Sequence, residues 1–575
     1  ASQSPTSPSA LTQTVRVIVE TSRRAGLKTA KGSCVAGVGP ADDKALIGEI
    51  VSSDTHSRMT QPSQRLSDAG SRYAAARESL RERARPHLGI DPRALGAFRI
   101  AVALVLLSDL LIYRLPALRT FYTDDGVLPR ATLAEVYPLL ERASLYAMSG
   151  SARVQTGLLA VAAVAAVCLL VGYRTRASAG LSVLLFASLY ARNPYVLNGG
   201  NTVLVAFLFL SLFLPLDARW SLGAGRRSVR GEPNDADGGA SAGGGDGGDP
   251  RICSLGTAVA LLTLVSIYAA NAVSKYRSDA WMSGTAVPRI FQLSEFTVGL
   301  GPLVSEYTAA LTAINWLWIA LLSVSPLLVV ATGRRRTGLV LAFVSAHLGM
   351  AATMRLAVFP FVMSSVLLLF LPPGAWDRLE AVASRLSEST GLARTDRPHR
   401  SDGGADARTP SPIPSRTRRG IRAGAAALLV GFFLALVWWQ AAGVGLVDLP
   451  AQESTGQLSE VSWSFFAPNP PDASGWYVVA GTLESGRTVD LRDGGAVTFD
   501  RPPDAAETYP STLWHQFGFR MKNAGESQYR PVASYACERS DRDLESVTVF
   551  HVEQPVDSDG PVGEPEAEER VRVAC

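Results

Sequence analysis

The chain has 575 residues, 47% of them hydrophobic and only 18% charged, with the apolar residues bunched into runs, a balance that excludes an ordinary multidomain soluble protein. The net charge of +4 conceals a split: from Val447 onward 22 acidic and 10 basic side chains give −12, which leaves +16 for the remainder. Arginines holding cytoplasmic loops account for such a basic excess in a membrane protein, so the charge gives little reason to expect nucleic acid as a partner.

In chain order, residues 1–90 read as a polar leader, largely disordered. Met59 is a candidate translation start, which would make residues 1–58 non-native, and the stretch through Arg77, Arg81 and Arg83 reads as an amphipathic helix feeding the first span. A helix needs roughly 20 residues to cross a hydrocarbon core about 30 Å thick. Runs near that length fall at 94–113, 154–171, 177–189, 202–214, 253–273, 307–330, 338–354, 356–371 and 423–444. The expected fold class is therefore an α-helical polytopic membrane protein with about nine transmembrane helices. Barrel strands are excluded, because the runs lack polar alternation. Helices one to four occupy 91–222, helices five to eight 253–372, and the ninth 421–446, with flexible cytoplasmic linkers at 223–252 and 373–420.

The first run carries Arg99 and Asp109, which are expected to face other helices or an interface, since an ionisable group turned to lipid costs several kcal/mol. The third and fourth runs are short and flank Asn193, Pro194 and Asn198 to Asn201, a pattern expected of a broken or re-entrant region. Trp438 and Trp439 in the last run suit packing or an interface. Arginines at 174 and 176, 226 to 230, 334 to 336 and 416 to 422 fall in alternate loops, so those loops are expected in the cytoplasm. That places the N-terminus in the cytoplasm, and the loops holding Tyr122, Asn198 and Lys275 outside with the acidic tail, in a multi-pass cell-membrane protein.

Residues 447–575 read as a small β-rich extracytoplasmic domain. A hairpin is expected around Ser485 and Gly486, with further strands at 532–536 and 545–553 and a solvated acidic end at 564–569. The five cysteines form no metal-ligand cluster. Cys537 and Cys575 share the tail, where an oxidising exterior permits a disulfide between them.

Lys275 stands where the fifth helix meets the outer interface. Burial disfavours the charged form of an amine, which is how a lysine becomes a base near neutral pH. The competing reading is a lysine that snorkels to headgroups while Trp281 anchors the interface. His347 lies inside the seventh run and is either a reactive group or the partner in an interhelical hydrogen bond. Asn198 and Asn201 could bind a polar group, and the glycines between them also suit a tight turn.

With these residues in view, the chain resembles the horizontally transferred transmembrane domain family, which is related to the vitamin K-dependent gamma-carboxylases. The likeness lies in GAFRIAVALVLLSDLLIYR with FYTDDGVLP, then NPYVLNGGN, NAVSKYRSDAW and HLGMAATMRLAVFPFVM, with WSFFAPNPP and GWYVVAG in the tail. The resemblance implies a multi-helix bundle whose carboxylase members use a lysine to deprotonate reduced vitamin K, with oxygen and carbon dioxide, and so carboxylate glutamate. Lys275 matches that lysine, and His347 lies in a stretch similar to the one carrying an active-site histidine. By the same resemblance the cofactor is a reduced vitamin K or menaquinone-like quinone, with Asn198, Asn201 and Trp281 as candidate contacts. Two departures stand out: Asn198, Gly199, Gly200 and Asn201 hold no histidine where the carboxylases have an Asn-Asn-His-like stretch, and Ser274 replaces a second lysine. The implied activity is quinone-dependent carboxylation; the alternative is a non-enzymatic membrane protein that binds lipid or a protein partner through its outer domain.

Overall fold

A computed structural model describes residues 78–222, 249–389, 415–447, 466–503 and 508–575. The candidate start Met59, most of the leader, most of both linkers and the residues Trp463 to Phe465 lie outside that set. The described chain is mostly helical and ends in a four-stranded antiparallel sheet.

Among the described residues, four helices are long and apolar enough to cross a membrane: Pro92–Arg114, Ala152–Val171, Leu255–Tyr276 and Arg419–Gly443. A fifth would be the pair Phe359–Phe370 and Pro373–Leu386, which is bent by 107°. The other expected runs are helical in part. We label the main elements α1 (Pro92–Ser108), α2 (Ala152–Val171), α3 (Thr175–Arg192), α4 (Gly199–Ser211), α5 (Leu255–Tyr276), α6 (Thr308–Ser323), α7 (Gly333–Thr353), α8 (Phe359–Leu367), α9 (Pro373–Ser389) and α10 (Ser415–Gly443). The run 307–330 is not one helix: it stops at Ser323 and resumes as Leu327–Val330, with Pro326 at the break. A proline ring cannot accept the preceding turn and supplies no N–H, so the helix restarts after it.

Helices α1 to α4 pack in sequence, α8 packs on α1 and α4, and α5 carries α6 and α10. Ionisable groups inside α1 are turned inward, as expected. After Ser108 the helix widens into a π turn, Asp109–Arg114, a geometry that pairs residues five apart. Arg114 accordingly meets Asp109 at 3.2 Å and donates to Tyr122 Oη at 2.7 Å, while Tyr190 donates to Asp109 at 3.0 Å. Arg99 donates to the carbonyl of Trp220 at 2.6 Å.

The ends of the bundle are segregated. At one end Arg93 pairs with Asp377 and Glu380, Arg251 donates to the carbonyl of Pro86, and Arg336 donates to that of His87. At the other end the loops holding Tyr122, Asn198 and Lys275 meet the tail.

The tail contains β1 (Ala473–Leu483), β2 (Thr488–Asp490), β3 (Leu544–Pro555) and β4 (Glu566–Ala574) in the order β2-β1-β3-β4. The β1–β2 hairpin turns at Gly486, whose φ of 80° suits glycine. Two helices, α11 (Thr512–Met521) and α12 (Glu526–Arg539), cover one face. One expectation is corrected here. Residues 532–536 are helical, not a strand, because Tyr529 and Ala533 recur one turn apart on the buried side of α12, a period that a five-residue window cannot reveal. The acidic end keeps its carboxylates exposed to solvent, as expected, while most of it is the start of β4, paired with β3 through its backbone. Charged side chains on an edge strand discourage pairing with another chain. Cys537 of α12 and Cys575 beyond β4 are bonded, with Cα atoms 5.5 Å apart.

Candidate functional site

Lys275 occupies the last turn of α5 and is only 2% exposed. Its Nζ stands 4.1 Å from the centroid of the Trp281 ring, within the range of a cation–π contact. The chain reaches Trp281 through a turn at Arg277 and a short helix, Asp279–Ser283, whose Ser278 cap accepts from the Trp281 backbone N–H. Asn315 of α6 then fixes the ring's position. It donates to the Trp281 carbonyl at 2.9 Å and accepts from the Val287 N–H at 3.3 Å. The indole N–H donates to the carbonyl of Phe466 in the tail at 2.6 Å.

His347 is 1% exposed, and its Nε2 is 2.9 Å from the hydroxyl of Tyr268 on α5. Among the described residues its Nδ1 has no hydrogen-bond partner. Trp318 and Phe359 meet the imidazole edge-to-face at 5.7 and 5.6 Å, and Phe343 stacks on Tyr268 at 4.5 Å. Tyr268 and Lys275 are seven residues apart, two turns of one helix, so they share a face about 10 Å apart along the axis. Asn315 and Trp318 are likewise a turn apart on α6, so that helix supports the lysine's indole with one side chain and the histidine with the next. The two candidate residues thus belong to one aromatic-walled region between α5, α6 and α7.

Asn198 and Asn201 cap the start of α4. The Asn198 side chain accepts from the backbone N–H groups of Gly200 and Asn201, and Asn201 accepts from that of Asn198, a reciprocal cap on α4. Asn198 also donates to the carbonyl of Leu356 at 3.1 Å, which ties α4 to the turn before α8. Gly200 is required by that crossing: a Cβ there would lie 2.6 Å from the Cα of Phe359.

A second polar group joins bundle and tail. Glu295 is buried and accepts from Ser474 Oγ at 2.5 Å and from the Gly475 N–H at 3.2 Å. Burial pushes its carboxyl up from the ordinary value, and these two hydrogen bonds partly oppose the rise. Arg501 donates to the Gln292 carbonyl and to Ser294 Oγ, each at 2.9 Å. His515 of α11 lies edge-on to Phe296 at 4.5 Å, and burial holds its imidazole down to about 3, with Arg355 adding to the effect.

Residue patterns pointed to Lys275, His347 and Trp281 but not to Tyr268, Asn315, Trp318 or Glu295. Asn315 was detectable as an amide inside an apolar run, and Tyr268 as the residue two turns before the lysine. Among the described residues no group of His, Cys, Asp and Glu is arranged to hold a metal ion. Comparison of the chain with protein-family models, with curated proteins and with solved structures gives no match.

Proposed function

We propose that this chain is a nine-span membrane protein of the horizontally transferred transmembrane domain family, related to the vitamin K-dependent gamma-carboxylases, and that it uses Lys275 as a base toward a reduced lipid quinone. The observation that carries the reading is the Lys275 amine, buried against the Trp281 face and on the same side of α5 as the hydrogen-bonded Tyr268–His347 pair. A neutral amine in that position takes the hydroxyl proton of a hydroquinone and becomes an ammonium, leaving the quinol anion for the following step. The indole face then receives the new positive charge, an interaction worth about 0.5–2 kcal/mol. The aromatic side chains packed on His347 give it an apolar setting, and the Tyr268–His347 hydrogen bond fixes the imidazole's orientation. Carboxylation of glutamate is the outcome that the family resemblance implies.

The proposed orientation puts the tail and the loops holding Tyr122, Asn198 and Lys275 outside the cell. It draws support from the gathering of these loops against the tail, with the arginine-bearing ends of α1, α5 and α7 at the opposite side.

A second reading, a non-enzymatic protein that binds lipid or a partner through its outer domain, is favoured by one observation: Asn198 and Asn201 are engaged in capping α4. The deciding experiment incubates purified protein in nanodiscs with reduced menaquinone, oxygen and carbon dioxide and follows quinone oxidation. Turnover lost in Lys275→Ala, with the melting temperature retained, is the expected result. Equal turnover in the variant removes Lys275 from the mechanism, and no turnover in either protein leaves the field to the second reading.

A further inference from the structure

The tail holds a cavity of about 330 Å³ between the inner face of its sheet and the two helices that cover it. Tyr477, Val479 and Val549 line it from β1 and β3, and Trp514, Phe517 and Met521 line it from α11. Protein cores leave few voids larger than a water molecule, and a space of this size falls at the low end of sites that take small organic ligands, roughly 300–1,000 Å³.

Its interior is apolar because the hydroxyls in its walls are spent elsewhere. Tyr477 donates to the Gly518 carbonyl at 2.9 Å, Tyr509 to that of Gly475 at 3.0 Å, and Tyr529 to that of Met521 at 2.6 Å. The rim differs in character. Arg492 and Arg539 line the cavity and are exposed, and among the described residues neither guanidinium has an ion-pair partner. The one carboxylate of the lining, Asp490, already accepts from the Arg492 backbone N–H at 2.8 Å. Arg539 lies over the Tyr535 ring at 4.9 Å, and two guanidinium groups against one carboxylate leave the lining with a net positive charge, which favours an anionic head at the mouth.

The position of the cavity indicates where such a ligand would come from. Trp514 and Phe517 form its wall and also meet Phe121 of the bundle at 5.1 and 5.6 Å, seven residues beyond the end of the candidate span Pro92–Arg114. We infer that the tail binds a single-chain anionic amphiphile, such as a fatty acid from the adjacent leaflet, with its chain among Tyr477, Trp514 and Phe517 and its head at Arg492 and Arg539. Each buried methylene adds about 0.8 kcal/mol, so a chain on the order of ten carbons supplies the affinity and the arginines supply the choice of head. This site is separate from Lys275 and stands whether or not that lysine is a base.

The test places the full chain in nanodiscs with a twelve-carbon fatty acid bearing a terminal diazirine, irradiates, and maps the label by mass spectrometry. The same chain carrying an alcohol or a trimethylammonium head serves as comparison. The expected result is labelling of peptides from 512–521 and 526–539 by the acid, at least fivefold above either comparison. The double substitution Arg492→Gln and Arg539→Gln, both at exposed positions, is expected to lower it at least fivefold. Ala536→Phe, which fills the cavity, is expected to abolish it while the Cys537–Cys575 bond stays intact. Equal labelling by the three heads, labelling unchanged in the arginine double variant, or label confined to the spanning helices would each overturn the inference.

Discussion

His515 provides the most quantitative test of how the tail is held to the bundle. Its ring is buried between Phe296 of the bundle and Tyr509 of the tail, at 4.5 and 5.2 Å, and among the described residues neither ring nitrogen has a hydrogen-bond partner. The imidazole is held down to about 3, against an ordinary value near 6.5. Below pH 6.5 the unfolded chain takes up a proton that the folded chain refuses. Stability is therefore complete above that pH and falls as the pH drops toward 3. The slope approaches about 1.4 kcal/mol per pH unit, so roughly 3 kcal/mol is lost by pH 4.5. His551, held down to about 4, acts in the same direction; Glu295, whose carboxyl is pushed up, acts in the opposite one. The variant His515→Phe keeps the ring contacts and removes only one titrating group, so its difference from the wild type isolates His515. Melting of the tail, followed by limited proteolysis at pH 7.5 and 4.5, is expected to drop by on the order of 10 °C more in the wild type than in the variant. An identical pH dependence in the two proteins would refute the reasoning.

Three further outcomes follow from named contacts. Gly200→Ala drives a Cβ to 2.6 Å from the backbone of Phe359 and is expected to cost about 1–3 kcal/mol, read as a lower melting temperature in detergent. Asn315→Ala strips the Val287 N–H of its side-chain partner and leaves the Trp281 carbonyl with only the Gly284 N–H at 3.3 Å. A loss of about 1–3 kcal/mol is expected, together with a red shift of Trp281 emission against a Trp281→Phe reference; unchanged emission would mean that the amide does not hold the indole. The Cys537–Cys575 bond closes a loop of 38 residues, for which the chain-entropy model gives about 4 kcal/mol, so Cys537→Ala with Cys575→Ala is expected to lower the urea midpoint of the tail accordingly.

Apolar run length located the long apolar helices because such a segment announces itself by composition alone, and Leu255–Tyr276 begins and ends within three residues of its expected run. Run length did not locate the interruptions. The stop at Ser323 turns on the single Pro326 inside an apolar stretch, and the sharp bend between Phe370 and Pro373 falls at the pair Pro372 and Pro373, where the apolar run ends. In the tail, alternation revealed β1, where Trp476 and Val478 face one way and Tyr477 and Val479 the other. The same rule failed at residues 532–536, where small and apolar residues fit both periods. Lys275 and His347 stood out as charged or titratable groups in apolar surroundings. Their neighbours did not, because Trp318, Phe343 and Phe359 look like any core aromatic until the fold brings them together. Asn198 and Asn201 were ambiguous for a related reason: an amide beside glycine suits a ligand and a helix cap equally well, and the cap becomes visible only in the observed hydrogen bonds.

Trp281 is gripped from opposite directions, by Asn315 at its carbonyl and by Phe466 at its indole nitrogen, while its face lies under the Lys275 amine. The tail therefore reaches the amine through one rigid ring. Cutting that domain away would orphan a sheltered N–H, at about 1–3 kcal/mol, and let the indole swing off the lysine. A truncated protein that loses turnover would thus report a slackened tryptophan as readily as a missing docking surface, and point changes at the arginine-rimmed mouth are the sharper instrument for telling the two jobs of the tail apart.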